Sequence, residues 1–421
     1  MKKLCCIILL FLFFNFTAIA SPDCSRKANS LPNPELPPGQ ANLANPINHI
    51  LVVVQENHSF DNYFGQLNDP RFYGKSVDGV LSNYSNLASD GHQVFVYPET
   101  NLCVVDPAHD WNSVHEDWDL GELDGFVKTN SSFIFNGDRV MGYFGPSDIP
   151  FYYGLANQFA TADRYFSSAL TQTYPNRFYL MAGTSFGHIA NDSSDIDKGF
   201  DQKTIFDVLD EFNISWKYYC DDQGYLGLFR PMYLRNKSKI QKIKNYEMDL
   251  ANDTLPSVVF LDSSFDGEDE HPNGNIQIGQ AWTAKTIHSL MSSKSWKDSV
   301  LFLAYDENGG FYDHVAPPEA CAPDEIPPML QNDSVPGNFN RYGFRVPFVA
   351  VSPYVKHHYV SHSVFDHTSI LKFIEVKFNL PALTRRDANA DGFTDIFDFK
   401  NPVLQVKDLP PAVIDSTKSC N

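Results

Sequence analysis

Residues Ile50 to Val54 form an unbroken apolar run, mostly β-branched, and similar runs return at Ser257 to Leu261, Ser299 to Tyr305 and Val346 to Val351. Runs without polar alternation suit strands covered on both faces, as in parallel sheets. Between them, Lys203 to Phe212 and Gln280 to Ser292 have helix-like character. Strands alternating with helices predict an α/β sandwich around a mostly parallel central sheet. Residues 66–150 are aromatic and polar without a clear period, which predicts a large insertion over one end of that sheet. Residues 21–46, rich in Pro, Asn and Ser, read as a loose lead-in. Residues 47–400 read as one folded domain, and 401–421 as a tail wrapped on the surface.

The first twenty residues have a different pattern. Lys2 and Lys3 precede an apolar run from Cys5 to Phe14, and Ala18-Ile19-Ala20 then gives the small-x-small site of a signal peptidase. This predicts a signal peptide over 1–20, with Ser21 as the new N-terminus and a secreted or periplasmic product. The Ser-Pro and polar residues that follow argue against an uncleaved anchor. No later segment stays apolar for about 18 residues, so the mature chain is expected to be soluble.

Five cysteines lie beyond the leader: Cys24, Cys103, Cys220, Cys321 and Cys420. Their scatter excludes a CxxC metal cage and leaves one or two disulfides of unassigned pairing. The net charge is −19, and two units more negative once Lys2 and Lys3 leave with the leader. Such an acidic chain repels nucleic acid phosphates, so nucleic acid is excluded as a partner. A phosphate ester is still allowed if a bound cation reverses the local sign.

Ligands of open α/β sheets sit beyond the carboxyl ends of the strands. The first strand runs into Gln55-Glu56-Asn57-His58, and the Ser299 strand runs into Asp306-Glu307-Asn308-Gly309-Gly310. Two such ends, each with consecutive oxygen donors, point to a divalent cation held between them. The segment Thr171-Gln172-Thr173-Tyr174-Pro175-Asn176-Arg177 sets a hydroxyl, a stiffening Pro and an Arg together. Thr173 suits a metal-activated nucleophile, and Arg177 either braces the loop or binds a phosphoryl oxygen. Thr173 stands where sulfatases need an oxidisable Cys or Ser, which argues against a sulfatase. A rival lies nearby: Gly183-Thr184-Ser185-Phe186-Gly187 fits the G-x-S-x-G elbow of serine lipases and esterases, with Phe178 to Ala182 as the strand before it.

Several motifs, in one order, resemble the bacterial phosphoesterase family, which contains phosphatidylcholine-hydrolysing phospholipases C and related acid phosphatases. They are ENHSFDNYFG (Glu56 to Gly65), DPAHDWNSVHEDW (Asp106 to Trp118), DIPFYYGLANQFATADRYF (Asp148 to Phe166) and TYPNRFYLMAGT (Thr173 to Thr184). They continue with Glu270-His271-Pro272, YDENGGFYDHVAPP (Tyr305 to Pro318) and SHSVFDHTSILKFIE (Ser361 to Glu375). The resemblance implies an alkaline-phosphatase-like three-layer sandwich. It implies that Glu56 and Asn57 bind the metal with Asp306 and Glu307 opposite, and that Thr173 is the nucleophile and touches the metal. It implies that His109 and His271 contact phosphoryl or leaving-group oxygens, with His115 a third candidate. His314, His362 and His367 are expected to orient other groups, and His58 to be structural.

The expected chemistry is two-step phosphoryl transfer through a phosphothreonine, with one or more divalent ions. The all-oxygen set leaves the ion open, zinc favoured and calcium the alternative. The expected substrate is a phosphatidylcholine-like phospholipid, with transient contact to a membrane surface; the alternative is a phosphomonoester. The 34 Phe and 20 Tyr fill the core, and some of them are candidates for a choline-binding cage or lipid-facing rim. The rival classes are a serine esterase at Ser185 and a secreted calcium-binding protein. For the latter, Asp387, Asn389, Asp391, Gly392, Asp395 and Asp398 fall at EF-hand positions 1, 3, 5, 6, 9 and 12. The oligomeric state stays open.

Overall fold

The structure is a computed structural model and describes residues 21–131, 137–192, 199–265, 267–406 and 408–417. The expected leader over 1–20 and Cys420 lie outside these residues. The expected strands form at β1 (His49–Gln55), β5 (Val258–Leu261), β6 (Ser299–Tyr305) and β7 (Phe348–Val351). Four shorter ones join them: β2 (Ala160–Ala162), β3 (Trp216–Tyr219), β4 (Ile240–Gln241) and β8 (Tyr359–Ser361). Among the described residues the main sheet has the order β8-β2-β7-β6-β1-β5-β3-β4. Every neighbouring pair is parallel except those made by β7, which runs antiparallel to both β6 and β2.

Register and alternation define the layers. β1 pairs with β6 along its whole length, Gln55 opposite Tyr305, so both strands end at one level. Successive side chains of a strand point to opposite faces. Phe302 of β6 packs on Phe373 of helix α6 (His367–Phe378), whereas Tyr305, an odd number of residues later, packs on Tyr152 of helix α2 (Pro150–Gln158). These two helices therefore cover opposite faces. Helix α3 (Thr173–Ala182) packs against α6 and helix α4 (Ile205–Glu211), while helix α5 (Ile276–Met291) packs against α2. The result is the expected three-layer α/β sandwich, with β1 buried from Ile50 to Gln55.

The insertion contains two-stranded ladders (Ser85–Leu87 with Gln93–Phe95, Tyr97–Pro98 with Gly142–Tyr143) and the helix Trp111–Trp118. It closes over a small apolar core of its own that includes Val80, Val114, Phe126 and Val140. The lead-in is not loose. Cys24 is disulfide-bonded to Cys321, and Asn29 and Asn42 donate backbone hydrogen bonds to Ala382 and Lys377. Cys103 is also disulfide-bonded, and among the described residues buried Cys220 is free. The tail wraps the surface: the Trp296 indole donates to the Leu404 carbonyl, and Pro410 lies against Gly154. Among the described residues no helix is long and apolar enough to cross a membrane.

Two sequence readings are corrected here. Phe178 to Ala182 belongs to helix α3, so no strand precedes Ser185. Ser185 is fully buried and its hydroxyl has no hydrogen-bond partner among the described residues, so none of them is in place to activate it. The EF-hand reading also fails. Asp387 is spent on the turn before its own helix, accepting from Leu383 N, Thr384 N and Thr384 Oγ1, and Asp395 accepts from Tyr359 and Ser361.

An ion-pair network joins the insertion to the sheet. Buried Arg345 bonds Asp61 and Asp313, and His314 bonds Asp61 at 2.6 Å and Asp78 at 3.1 Å. Burial opposes the His314 charge, but Asp61 and Asp78 outweigh it and raise its pKa to about 9. A folded pKa above the unfolded value of about 6.5 means that the folded state holds the proton more tightly. The stabilisation is complete below pH ~6.5, falls between there and ~9, and is lost above; the shift corresponds to about 3 kcal/mol. Urea denaturation of wild type and His314→Gln is therefore expected to show a difference of that size at pH 6 that shrinks by pH 9.5. A difference that grows with pH would contradict the assignment.

Candidate active site

The strand ends β1 and β6 are held together by backbone donors. Asp306 Oδ1 accepts from Asn57 N at 3.2 Å and from Glu307 N at 2.8 Å, and Glu307 Oε2 accepts from Gly309 N at 2.6 Å. Asn57 adopts a left-handed backbone (φ 63°), which Asn tolerates better than most residues. Gly309 (φ 60°) is required here, because a Cβ would lie 2.2 Å from the Asn57 carbonyl oxygen. Glu56, Asn57, Asp306 and Glu307 are all buried.

One atom of the Asn57 side-chain amide lies 3.2 Å from Asp306 Oδ1 and 2.9 Å from Glu307 Oε1. The other lies 3.2 Å from His271 Nε2 and 3.5 Å from His109 Nε2. If the nitrogen faces the carboxylates, His271 must be doubly protonated to serve the oxygen. The histidines favour the reverse. His109 Nδ1 faces the Pro107 carbonyl at 2.7 Å and His271 Nδ1 faces the Pro272 carbonyl at 3.0 Å. Carbonyls only accept, so each Nδ1 carries the hydrogen and each neutral ring presents an Nε2 lone pair to the amide NH₂. Asn57 Oδ1 then converges with Asp306 Oδ1 and Glu307 Oε1, and buried Glu56 Oε2 has no hydrogen-bond partner among the described residues. Burial first, and the Asp306 charge second, hold the Glu56 and Glu307 pKa values well above the carboxylate range. This set of hard oxygens fits a divalent cation, which would relieve both costs.

Thr173 opens α3 as a buried residue, and Arg177 follows one turn later on the same face. The Arg177 guanidinium faces the acids. Nε donates to Asp306 Oδ2 at 3.1 Å, Nη2 donates to the Gln55 carbonyl at 3.2 Å, and Glu56 and Asp262 lie 3.8 and 3.7 Å away. Its flat face stacks on Tyr225 at 4.1 Å, and the Tyr225 hydroxyl donates to Glu56. Burial opposes the charge, but Asp306, Tyr225, Asp262 and Glu56 raise the pKa overall. Of its two expected uses, bracing is the one these contacts describe.

The insertion supplies His109. Its segment Leu102 to Val104 accepts from Ile276 and Asn273 of the loop that carries His271, which brings the two rings to 6.1 Å. Asp106, His109 and His271 offer ligand atoms within 4.8 Å of one another. The Pro107 carbonyl orients the His109 ring through Nδ1, Asp106 lies 3.6 Å from that edge, and Nε2 turns toward Asn57. His367 reaches the Asp306 carbonyl at 2.7 Å, His362 binds Asp163, and His115 packs on Trp111 away from the acids. Three partners escaped the sequence reading: Asp262, Tyr225 and Asp106. Asp262 directly follows an expected strand, a signal that could have revealed it; Tyr225 gave none.

A cavity of about 280 Å³ is lined by Tyr174, the residue after Thr173, with Tyr225, Phe265, Asp222 and Asp262. The model of the phosphoesterase family matches residues 47–381. The chain belongs to the phosphoesterase family. It is accordingly a phosphoric ester hydrolase. This phosphoesterase is 33% identical over 392 residues to non-specific phospholipase C1 of Arabidopsis thaliana, covering 86% of the chain and 73% of that protein. It is 31% identical over 409 residues to phospholipase C B of Mycobacterium tuberculosis, covering 85% and 78%. Among solved structures it is similar to a protein of the alkaline phosphatase superfamily from Vibrio parahaemolyticus, with TM-score 0.38, 11% identity, and 82% and 93% of the two chains covered.

Proposed function

We propose that this phosphoesterase is an exported, metal-dependent phospholipase C that attacks the phosphodiester of a phosphatidylcholine-like lipid through Thr173. The observation that carries the reading is the convergence of Asn57, Asp306 and Glu307 oxygens, with unpartnered Glu56 Oε2, beside the helix that Thr173 opens. Glu56, Asn57, Asp306, Glu307 and Thr173 would hold the divalent ion, zinc favoured. When bound, such an ion lowers the pKa of a ligated hydroxyl and stabilises charge on phosphoryl oxygens.

Thr173 Oγ attacks phosphorus as the bond from phosphorus to the glycerol oxygen breaks, leaving the head-group phosphate on Thr173. Nε2 of His271 or His109, a lone pair in the resting site, takes up a proton as substrate binds and gives it to the departing glycerol oxygen, while the Thr173 hydroxyl proton goes to solvent. The same nitrogen takes a proton from the water that next attacks phosphorus, and the released Thr173 Oγ takes one from solvent, which restores the hydroxyl. Two points support a diester over a monoester. The relatives at about a third identity carry the name phospholipase C. The cavity lined by Tyr174 pairs three aromatic rings with two carboxylates, surroundings that suit a quaternary ammonium. Export is supported by the leader pattern and by the Cys24–Cys321 disulfide, a bond of oxidising compartments.

Nitrophenylphosphorylcholine and nitrophenylphosphate, assayed side by side with and without chelator, test the proposal. The expected result is release from the diester that chelator abolishes. Release from the monoester alone would remove the phospholipase reading in favour of a phosphatase, and release from neither would remove both.

A further inference from the structure

The loop that carries His271 hangs on one buried carboxylate. Glu270 is fully buried, and three tyrosine hydroxyls donate to it: Tyr63 at 2.7 Å and Tyr305 at 2.6 Å on Oε2, and Tyr152 on Oε1. These tyrosines come from helix α1 (Phe60–Phe64), from the last residue of β6 and from α2. The Tyr152 hydroxyl also reaches Thr283 of α5, which accepts from Gln55 of β1. The Glu270 carbonyl lies 3.1 Å from His58 Nε2. Space for the carboxylate is made on purpose: a Cβ at Gly279 would stand 2.3 Å from Glu270 Cγ.

No cation pairs with Glu270 among the described residues, and burial raises its pKa to about 7 despite the three donors. A core needs no such group for stability; leucine and phenylalanine would fill the space without desolvating a carboxylate. What the network does is geometric. It ties the residue before His271 to the strand ends that carry Glu56 and Asp306, so the histidine and the acids share one frame. On the next residue, His271 N bonds Asp269 Oδ1 at 3.0 Å, which sets the turn.

We propose that Glu270, clamped by Tyr63, Tyr152 and Tyr305, is a positioning residue that fixes His271 to protonate the leaving oxygen. The inference rests on the phosphoryl-transfer reading above. Its signature is a dependence on the leaving group. A glycerol oxygen needs a proton as it departs, whereas nitrophenolate does not.

The test compares kcat/KM, which reports the first chemical step, for short-chain monomeric phosphatidylcholine and nitrophenylphosphorylcholine. Glu270→Gln is expected to lose about tenfold or more on the lipid and under about threefold on the nitrophenyl ester. His271→Ala is expected to show the same selectivity, and the double variant to lose no more than His271→Ala alone. If Glu270→Gln does not fold, as judged by circular dichroism, Tyr152→Phe and Gly279→Ala disturb the same clamp and should show a smaller loss of the same selectivity. Equal loss on both esters, or additive losses in the double variant, would overturn the positioning role while leaving the phospholipase reading intact. An inactive wild type would instead strike the earlier reading.

Discussion

Thr173→Ala is expected to lower phosphodiester turnover by roughly 10⁴-fold, the scale seen when a nucleophile is removed from an assembled site. The variant should fold normally. Thr173 is the first residue of α3, the cap is Gln172, and alanine is a better helix former than threonine. The carboxylates do not depend on it, because Asp306 and Glu307 are held by backbone donors and Arg177. Thr173→Ser keeps the oxygen and should stay within about tenfold of wild type, since only a methyl group is lost. Acid-quenched wild type should carry a head-group phosphate on the peptide beginning near Thr173, absent from the alanine variant. Thr173→Ala retaining a tenth of the activity would rule out the nucleophile, and Ser185 would not inherit the role while its hydroxyl stays buried.

The sheet and the acids were legible because they obey local rules. β1 and β6 are buried on both faces and are written as unbroken apolar runs, and the acids follow at once in the chain. Short strands left no such trace. β2 and β8 have three residues each, too few for periodicity, and the reversed direction of β7 is a property of the loops around it. The misreading of Phe178 to Ala182 has a definite cause: a five-residue apolar run fits a buried strand and a buried helix equally well. Direction was also hidden. Spacing set Arg177 one turn after Thr173, but that its guanidinium turns to Asp306, Asp262 and Tyr225 depends on segments far away in sequence. The Glu270 clamp is tertiary in the same sense, with tyrosines drawn from three separate elements.

Arg177→Met should destabilise the protein by about 3–5 kcal/mol, the range for removing one partner from a buried ion pair. Methionine replaces much of the volume, so the loss is electrostatic rather than a cavity. It leaves Asp306, Glu56 and Asp262 around one buried point with the guanidinium gone, and it removes the stack on Tyr225. Arg177→Lys should recover only part of the loss, because an ammonium cannot reach Asp306 and the Gln55 carbonyl with a planar fork. The decisive measurement is urea denaturation of wild type and both variants, with chelator and with millimolar divalent cation. A cation held by Glu56, Asn57, Asp306 and Glu307 supplies positive charge where the guanidinium was removed. It should therefore stabilise Arg177→Met more than wild type. A loss below about 1 kcal/mol in chelator would show that these carboxylates do not share the burden assigned to Arg177. Equal stabilisation of wild type and variant by the cation would separate the arginine from the metal site and return Arg177 to its other reading, a direct ligand of the phosphoryl group.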